Sequence, residues 1–226
     1  MTPMRPEGAG AFPEAVESPA PQTPDRGPLY AALDLGTNSC RMLIAQPKGS
    51  QFLVVDSFSK TVQLGAGLEA SGKLSRASMN RTIQALRICE KKIEKHGVGR
   101  MRLVATEACR RASNSKEFIK QVRRETGLTI EIIGSEEEAR LAVISCAPLV
   151  RAASEQLLIV DIGGGSTELV WIDLSQVDPD DRPKSIMRLS SGFERQGLGD
   201  ARVVDWISVP LGVATLKDQF IDVEDD

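Results

Sequence analysis

Two stretches of the chain share one pattern: Ala31-Ala32-Leu33-Asp34-Leu35-Gly36-Thr37-Asn38-Ser39 and Leu158-Ile159-Val160-Asp161-Ile162-Gly163-Gly164-Gly165-Ser166-Thr167-Glu168. Each is an apolar run that ends at an aspartate and continues into a turn of glycine and small polar residues. Glycine allows a positive φ and a close approach of the backbone, so successive N–H groups can face phosphate oxygens. The aspartate adds a hard oxygen that can hold Mg²⁺. Two copies in one chain predict a pair of phosphate loops that face each other.

The residues after each turn decide between kinds of phosphate loop. Residues 40–45 and 169–172 are apolar and are predicted as strands. A Walker loop requires Gly-Lys-Ser/Thr at the start of a helix, and the dinucleotide fingerprint requires a helix after its third glycine. Because strands follow both turns, neither of these two loops is predicted here. The remaining alternative is a pair of hairpin turns whose glycines serve only geometry. Three consecutive glycines weigh against that alternative in the second turn. Glycines weaken a strand, so a run of three is expected only where a ligand or another backbone must approach closely.

The composition excludes several classes of protein. The chain has 226 residues, 41% of them hydrophobic, which is sufficient for a globular core. Its net charge is −3, so it has no overall positive field that would attract nucleic acid. Its 4 cysteines lack CxxC spacing and it has 1 histidine, which disfavours a zinc centre and indicates reduced thiols in a cytoplasmic protein. It has no apolar run long enough for a bilayer and no signal peptide at its start, so we expect neither a membrane partner nor secretion.

The pattern of strands and helices divides the chain into three parts. Residues 1–28 are rich in proline and are predicted to be a disordered leader. Residues 29–150 follow the order βββαβαβα, which predicts a mixed sheet covered by helices. Within them, Ser75 is expected to cap a long helix that ends at Gly97.

Residues 151–226 begin the same order again, with strands near 157–161, 167–173 and 203–209 and a helix near 215–220. An internal duplication explains this repetition. The αβαβα remainder of the second copy is missing, so we expect a chain that is truncated at its carboxyl end. If the second lobe is incomplete, one wall of the cleft between the lobes is incomplete and water is poorly excluded from it. Little turnover is therefore expected of a chain of this length.

The duplicated order with an Asp-Gly turn in each half resembles the actin, Hsp70 and sugar-kinase superfamily. This resemblance implies a duplicated ribonuclease-H-like α/β fold, with a complete first lobe and an incomplete second lobe. Four passages in order further resemble the Ppx/GppA family of exopolyphosphatases and guanosine pentaphosphate phosphohydrolases. They are residues 34–41, residues 161–168, Ala105-Thr106-Glu107-Ala108-Cys109-Arg110-Arg111-Ala112-Ser113-Asn114 and Ile132-Ile133-Gly134-Ser135-Glu136-Glu137-Glu138-Ala139-Arg140-Leu141.

The family resemblance implies Mg²⁺-dependent hydrolysis of a terminal phosphoanhydride bond, with Mn²⁺ as the alternative ion. The expected partners are inorganic polyphosphate or guanosine penta- and tetraphosphate, and the intact parent is expected to allow a homodimer. By position, Glu138 matches the general base that activates water, and Arg110 matches an arginine that clamps the transferred phosphoryl group. Asp161 and Glu168 match the acidic pair that binds Mg²⁺ or orients water, and Asp34 is the further candidate ligand of the metal ion. The candidate phosphate-binding residues are Gly36, Thr37, Asn38, Ser39, Gly163, Gly164, Gly165, Ser166 and Thr167.

Two alternatives to these roles follow from spacing alone. Ser135 and Glu138 have the spacing of a capping box, in which Glu138 would reach back to the start of its own helix. Arg110 stands beside Arg111, and such a pair is usually solvated surface. Two other functions also stay open: a non-catalytic protein that binds these polyphosphates, and a phosphotransferase of the same superfamily.

Overall fold

The computed structural model describes residues 27–49, 51–194 and 199–220, which form eight strands and seven α-helices. The strands are β1 (Tyr30–Leu35), β2 (Ser39–Lys48), β3 (Gln51–Thr61), β4 (Arg100–Ala105), β5 (Glu131–Ile132), β6 (Gln156–Ile162), β7 (Thr167–Asp173) and β8 (Arg202–Val209). The helices are α1 (Leu68–Ser71), α2 (Arg76–His96), α3 (Glu107–Arg111), α4 (Ser115–Thr126), α5 (Ser135–Ser145), α6 (Arg182–Arg188) and α7 (Val213–Phe220). The predicted leader lies outside the described residues except for residues 27 and 28.

The first sheet has the strand order β3-β2-β1-β4-β5. The first three strands pair antiparallel as a meander, and β4 and β5 continue the sheet in parallel with β1. The mixed α/β sheet predicted from the βββαβαβα order is therefore confirmed. Strand β5 is shorter than the β-branched segment at residues 129–133 would predict, since only two of its residues pair with β4.

Helices α2 and α4 cover one face of this sheet. The side chain of Ser75 accepts a hydrogen bond from the Ser78 N–H, and Gly97 ends α2 with a φ of 62°, as the capping pattern predicted. Leu86 of α2 and Phe118 of α4 are fully buried in the same core cluster. Burial of these apolar faces supplies the main driving force that holds the crossover helices on the sheet.

The second sheet has the order β6-β7-β8 and is antiparallel throughout. It repeats the β1-β2-β3 meander, so the three opening strands of both copies share one topology. Helix α5 precedes the predicted lobe boundary at residue 150, yet its Ala139 and Val143 are buried in the core of the second sheet, with Ile172. Helix α6 lies between β7 and β8 and begins within the segment 178–183, whose aspartate and proline composition is typical of a surface loop. Among the described residues, no helix combines the length and the apolar composition that a membrane crossing requires.

Candidate active site

The two predicted turns have the same internal structure. The N–H of Gly36 donates to the carbonyl of Ser39, and the N–H of Gly163 donates to the carbonyl of Ser166, both at 2.9 Å. Each turn joins two antiparallel strands, and the aspartate that precedes it is the last polar residue before the glycine. The repeated sequence pattern therefore corresponds to a repeated backbone structure.

The two turns meet in one cleft of about 280 Å³. Helices α3, α5 and α7 contribute Glu107, Glu138 and Val213 to its lining, so five chain segments converge there. Every residue named as a candidate from the sequence lines this cleft except Arg110, Thr167 and Glu168. The juxtaposition of the two turns, which the duplication only suggested, is thus present in the fold.

The glycines of the second turn are needed for its contact with the first turn. A Cβ built on Gly164 would lie 2.9 Å from the backbone nitrogen of Asn38, and one on Gly165 would collide with the Thr37 hydroxyl. The expectation of positive φ at these turns is wrong, because neither Gly36 nor residues 163–165 have such an angle. Close approach of two backbones, and not a left-handed conformation, excludes larger residues here.

Neighbouring segments use the carbonyl groups of both turns. The carbonyls of Thr37 and Asn38 accept hydrogen bonds of 2.8–3.0 Å from N–H groups of residues 62–65. The carbonyls of Gly163 and Gly164 accept bonds of 2.9–3.3 Å from the first residues of α7. A turn whose carbonyls are occupied in this way does not present them to a bound anion, and its N–H groups become the dominant polar feature.

Among the residues that the structure describes, the buried hydroxyl of Thr37 finds no hydrogen-bond partner. Only 6% of this residue is exposed, and it lines the cleft between the two turns. A buried polar atom without a partner costs free energy, and in native proteins it is commonly satisfied by a ligand or an ordered water. This hydroxyl is therefore a candidate contact for a bound phosphate or its hydration shell.

The two aspartates that precede the turns influence each other across the cleft. Asp34 lies directly opposite Arg41 in the β1–β2 ladder, and Asp161 lies opposite Glu168 in the β6–β7 ladder. Burial raises the pKa of Asp34 above its ordinary value, Arg41 opposes that rise, and the negative charge of Asp161 adds to it. Two carboxylates that repel in this way favour a cation between or beside them.

Glu138 does not cap its own helix. Helix α5 begins at Ser135 with Gly134 as its N-cap, and no side chain makes a capping bond there, so the capping-box alternative is wrong. Instead, the Glu138 carboxylate lines the cleft and accepts a hydrogen bond of 2.7 Å from Arg110. Burial raises the pKa of Glu138, Arg110 lowers it, and the nearby negative charge of Glu168 raises it further. A raised pKa suits a group that must take a proton near neutral pH.

Arg110 lies behind the cleft lining and is fully engaged by protein groups. Its Nη1 donates to Glu138, and its Nε and Nη2 donate to Glu107 at 3.2 and 2.7 Å. The predicted grip on a phosphoryl group would require release of these bonds. The clamp role of Arg110 remains a prediction, and the observed contacts favour a role in orienting Glu138.

Glu168 and Thr167 serve the fold around the cleft. Glu168 is only 2% exposed, and its Oε1 accepts a hydrogen bond of 2.8 Å from the Ser208 hydroxyl. The Thr167 hydroxyl donates to the carbonyl of Leu211 at 2.6 Å. Both side chains therefore have partners outside the cleft, and the metal and phosphate roles predicted for them remain predictions.

The acidic residues do not form a closed metal cage. Within the described part of the chain, no group of three or more histidine, cysteine, aspartate or glutamate side chains could hold a metal ion. Mg²⁺, however, keeps several waters and uses one or two carboxylates together with substrate phosphates. The carboxylates of Asp34 and Asp161 and the partnerless hydroxyl of Thr37 fit that mode of binding, since all three line the cleft.

Three further polar residues of the cleft were not among the candidates. They are Arg41, Thr106 and Glu107. Arg41 is exposed, and the spacing of the hairpin could have identified it, because a residue opposite Asp34 shares its face of the sheet. Thr106 and Glu107 follow the carboxyl end of β4, where ligand-binding loops gather in α/β folds. Their side chains are brought to the cleft only by the packing of α3.

Comparisons with known proteins agree on one family. Residues 43–225 match the model of the Ppx/GppA phosphatase family. The chain is 38% identical over 143 residues to a guanosine-5'-triphosphate,3'-diphosphate pyrophosphatase of Aeromonas hydrophila, which covers 63% of this chain and 29% of that protein. The chain thus spans less than a third of this curated relative.

Solved structures show the same similarity over most of the chain. An Aquifex aeolicus PPX-GPPA enzyme matches with a TM-score of 0.63 and 33% identity, over 85% of this chain and 56% of that one. An exopolyphosphatase-like protein matches with a TM-score of 0.70 and 26% identity, over 86% of this chain and 54% of that one. The chain spans slightly more than half of each, and the predicted duplicated ribonuclease-H-like fold is confirmed at the level of fold class.

Proposed function

The chain belongs to the Ppx/GppA phosphatase family, and from this premise we propose that it hydrolyses the terminal phosphoanhydride bond of inorganic polyphosphate or of guanosine pentaphosphate. One observation carries the proposal: the half-buried side chain of Glu138 lies in the same cleft as both glycine turns. A phosphate held by the turns would have a general base within the same cleft. The names of the relatives, pyrophosphatase and exopolyphosphatase-like protein, support the same reaction class.

Glu138 would accept a proton from the attacking water. The water oxygen forms a bond to the terminal phosphorus, the bridging P–O bond breaks, and the electron pair leaves with the shortened phosphate chain. The products are orthophosphate and a substrate with one phosphate fewer. Phosphoryl transfer depends mostly on positioning and charge stabilisation, so the turns that orient the phosphate contribute as much as the base.

The cleft must neutralise a highly charged substrate with few cations of its own. Among the described residues that line it, Arg41 is the only cation, whereas Asp34, Glu107, Glu138 and Asp161 are acidic. The backbone N–H groups of the turns supply partial positive charge. Mg²⁺ bound with the substrate would supply the remaining positive charge and polarise the phosphoryl oxygens. Asp34 and Asp161 are the residues placed to hold it.

The test is release of orthophosphate by the 226-residue chain. The chain is incubated with Mg²⁺ and either long-chain polyphosphate or guanosine pentaphosphate, and free orthophosphate is measured with and without ADP as an acceptor. We expect slow but measurable release of orthophosphate that does not depend on the acceptor. Transfer to ADP without free orthophosphate would instead identify a phosphotransferase. Tight binding of either substrate by the folded chain without turnover would identify a binding protein.

The acid side of the pH profile tests the environment of Glu138. Its pKa is raised from the ordinary glutamate value of 4.5, and only the ionised form can accept a proton. Activity is therefore expected to fall as the pH decreases, at a pH above the ordinary glutamate range. The measurement is kcat/KM, because its pH dependence reports groups in the free enzyme, which is the state in which the pKa of Glu138 is raised. An acid limb at or below 4.5 would contradict the assignment.

A further inference from the structure

Glu107 is an acidic residue inside a cleft that is proposed to bind polyanions. Its carboxylate lines the cleft, and only 13% of its side chain is exposed. A buried carboxylate at such a place repels phosphate unless a cation neutralises it, and a buried charge without a partner is costly. Glu107 therefore needs a cationic side chain beside it that neutralises its charge.

The hydrogen-bonded partner of Glu107 is Arg110, three residues later on helix α3, while the Nε of Arg111 lies 3.9 Å from its other oxygen, Oε1. Oε2 of Glu107 accepts hydrogen bonds from both Nε and Nη2 of Arg110, at 3.2 and 2.7 Å. These two donors form one edge of the planar guanidinium group. Because both bonds end on one carboxylate oxygen, they define the direction in which the opposite part of the guanidinium group points.

The opposite part of the guanidinium group contacts the start of helix α5. Nη1 of Arg110 donates to Glu138 Oε2 at 2.7 Å and to the carbonyl of Ile133 at 3.0 Å. Each nitrogen of the guanidinium group thus has an acceptor in the protein. Arg110 forms a bridge from Glu107 on α3 to Glu138 on α5, and its side chain is 17% exposed.

The second glycine turn restrains the other end of this bridge. The Cγ atom of Glu107 lies 3.1 Å from the position that a Cβ on Gly165 would occupy, so Glu107 packs directly against the turn. This contact restricts rotation of the Glu107 side chain. The chain of contacts therefore runs from the turn through Glu107 and Arg110 to Glu138.

We propose that Glu107 is a positioning residue that holds the Arg110 guanidinium group in the orientation that directs the Glu138 carboxylate into the cleft. The proposal rests on the function proposed above, in which Glu138 activates water. Glu107 touches neither the water nor the phosphate in this role. Without Glu107, the Nε edge of Arg110 loses its acceptor, and the guanidinium group is free to turn away from Glu138 or to be captured by substrate phosphate.

A double-mutant cycle tests whether Glu107 acts through Arg110. Glu107→Met, which keeps the unbranched length of the side chain and removes both carboxylate oxygens, is expected to lower kcat by roughly 10- to 100-fold, the scale of a misplaced catalytic group, with KM changed by less than about threefold. In an Arg110→Gln background the same substitution is expected to change kcat by less than about twofold, since coupled residues are not additive. Glu131→Met is the matched control, because Glu131 pairs with Arg102 outside the cleft, and its kcat is expected to be unchanged.

Other outcomes of the cycle would overturn the proposal. Equal losses in both backgrounds would mean that Glu107 acts independently of Arg110. A rise in KM without a fall in kcat would mean that Glu107 contacts substrate. A lower melting temperature with unchanged kcat would mean a structural role only.

A second measurement does not depend on activity. The Arg110 Nε–H signal in the ¹⁵N NMR spectrum of the folded chain is expected to exchange slowly with water in the parent protein and in Glu138→Gln. In Glu107→Met, which offers no oxygen acceptor, the exchange is expected to become at least tenfold faster, and unchanged exchange would overturn the proposal. If the parent chain releases no orthophosphate, the proposed function fails, while this NMR result still decides whether Glu107 holds Arg110.

Discussion

Replacing Glu138 with glutamine is expected to lower kcat for orthophosphate release by about 10²- to 10⁴-fold, the usual contribution of a general base. Glutamine keeps the size of the side chain and can still accept a hydrogen bond from Arg110, but it cannot take a proton from water. Substrate affinity should change little, because the turns and Arg41 make the expected phosphate contacts. The measurements are steady-state kinetics of orthophosphate release and equilibrium binding of polyphosphate.

Glu136→Gln is the matched control for this substitution. Glu136 lies in the first turn of the same helix but is exposed to solvent. Its replacement removes one negative charge at nearly the same place and should leave kcat within about twofold, as for most surface substitutions. If Glu138→Gln and Glu136→Gln retained equal activity, Glu138 would not be the base.

Replacing Gly212 with alanine is expected to damage both stability and substrate binding. A Cβ at this position would collide with the backbone of Gly164 and Gly165, including the Gly164 carbonyl oxygen at 2.6 Å. Backbone atoms cannot rotate aside, so the second turn must shift. Overpacking of this kind costs about 1–3 kcal/mol of unfolding free energy.

The shift caused by Gly212→Ala also affects the cleft. The bonds from the N–H groups of Val213 and Ala214 to the turn carbonyls, at 3.0 and 2.9 Å, fix the second turn to the start of α7. In a displaced second turn, the N–H groups no longer lie beside Thr37 and Asn38 of the first turn, so the two turns cannot bind one phosphate together. We expect polyphosphate affinity to fall on the order of 10-fold, which corresponds to the loss of one or two hydrogen bonds.

Gly99→Ala is the control for Gly212→Ala. A Cβ at Gly99 has no atom within 4 Å, and its backbone conformation is open to other residues. Urea unfolding and polyphosphate titration of the two variants are compared with the parent chain. Unchanged stability and affinity in Gly212→Ala would show that the second turn is not held as the structure describes.

Much of the local structure follows from short-range signals in the sequence. Ser75 and Gly97 mark the ends of α2 because a hydroxyl satisfies free N–H groups and glycine accepts a left-handed φ. The strands around both turns follow from apolar runs bounded by aspartate and glycine. These features depend on a few neighbouring residues, so sequence patterns are sufficient to predict them.

The start of α5 shows where local signals fail. Ser135-x-x-Glu138 has the spacing of a capping box, yet the helix begins at Ser135 and Glu138 bonds to Arg110. A charge-assisted bond to a guanidinium group from another helix outweighs a cap that gains a single bond to the backbone. Similarly, helix α6 forms within a stretch rich in aspartate and proline because Ile186 is buried against the second sheet.

The sequence by itself determined the duplicated pattern of strand, aspartate, glycine turn and strand, and with it the fold class and the presence of two similar turns. It also identified Glu138 as a candidate through family resemblance. Only the tertiary structure decided that the two turns touch, that their glycines are required by this contact, and that Arg110 joins Glu107 to Glu138 and stays off the cleft surface. The physical reason is range: turns and caps depend on adjacent residues, whereas the partners of a buried charge lie far apart in the chain and meet only when the core packs.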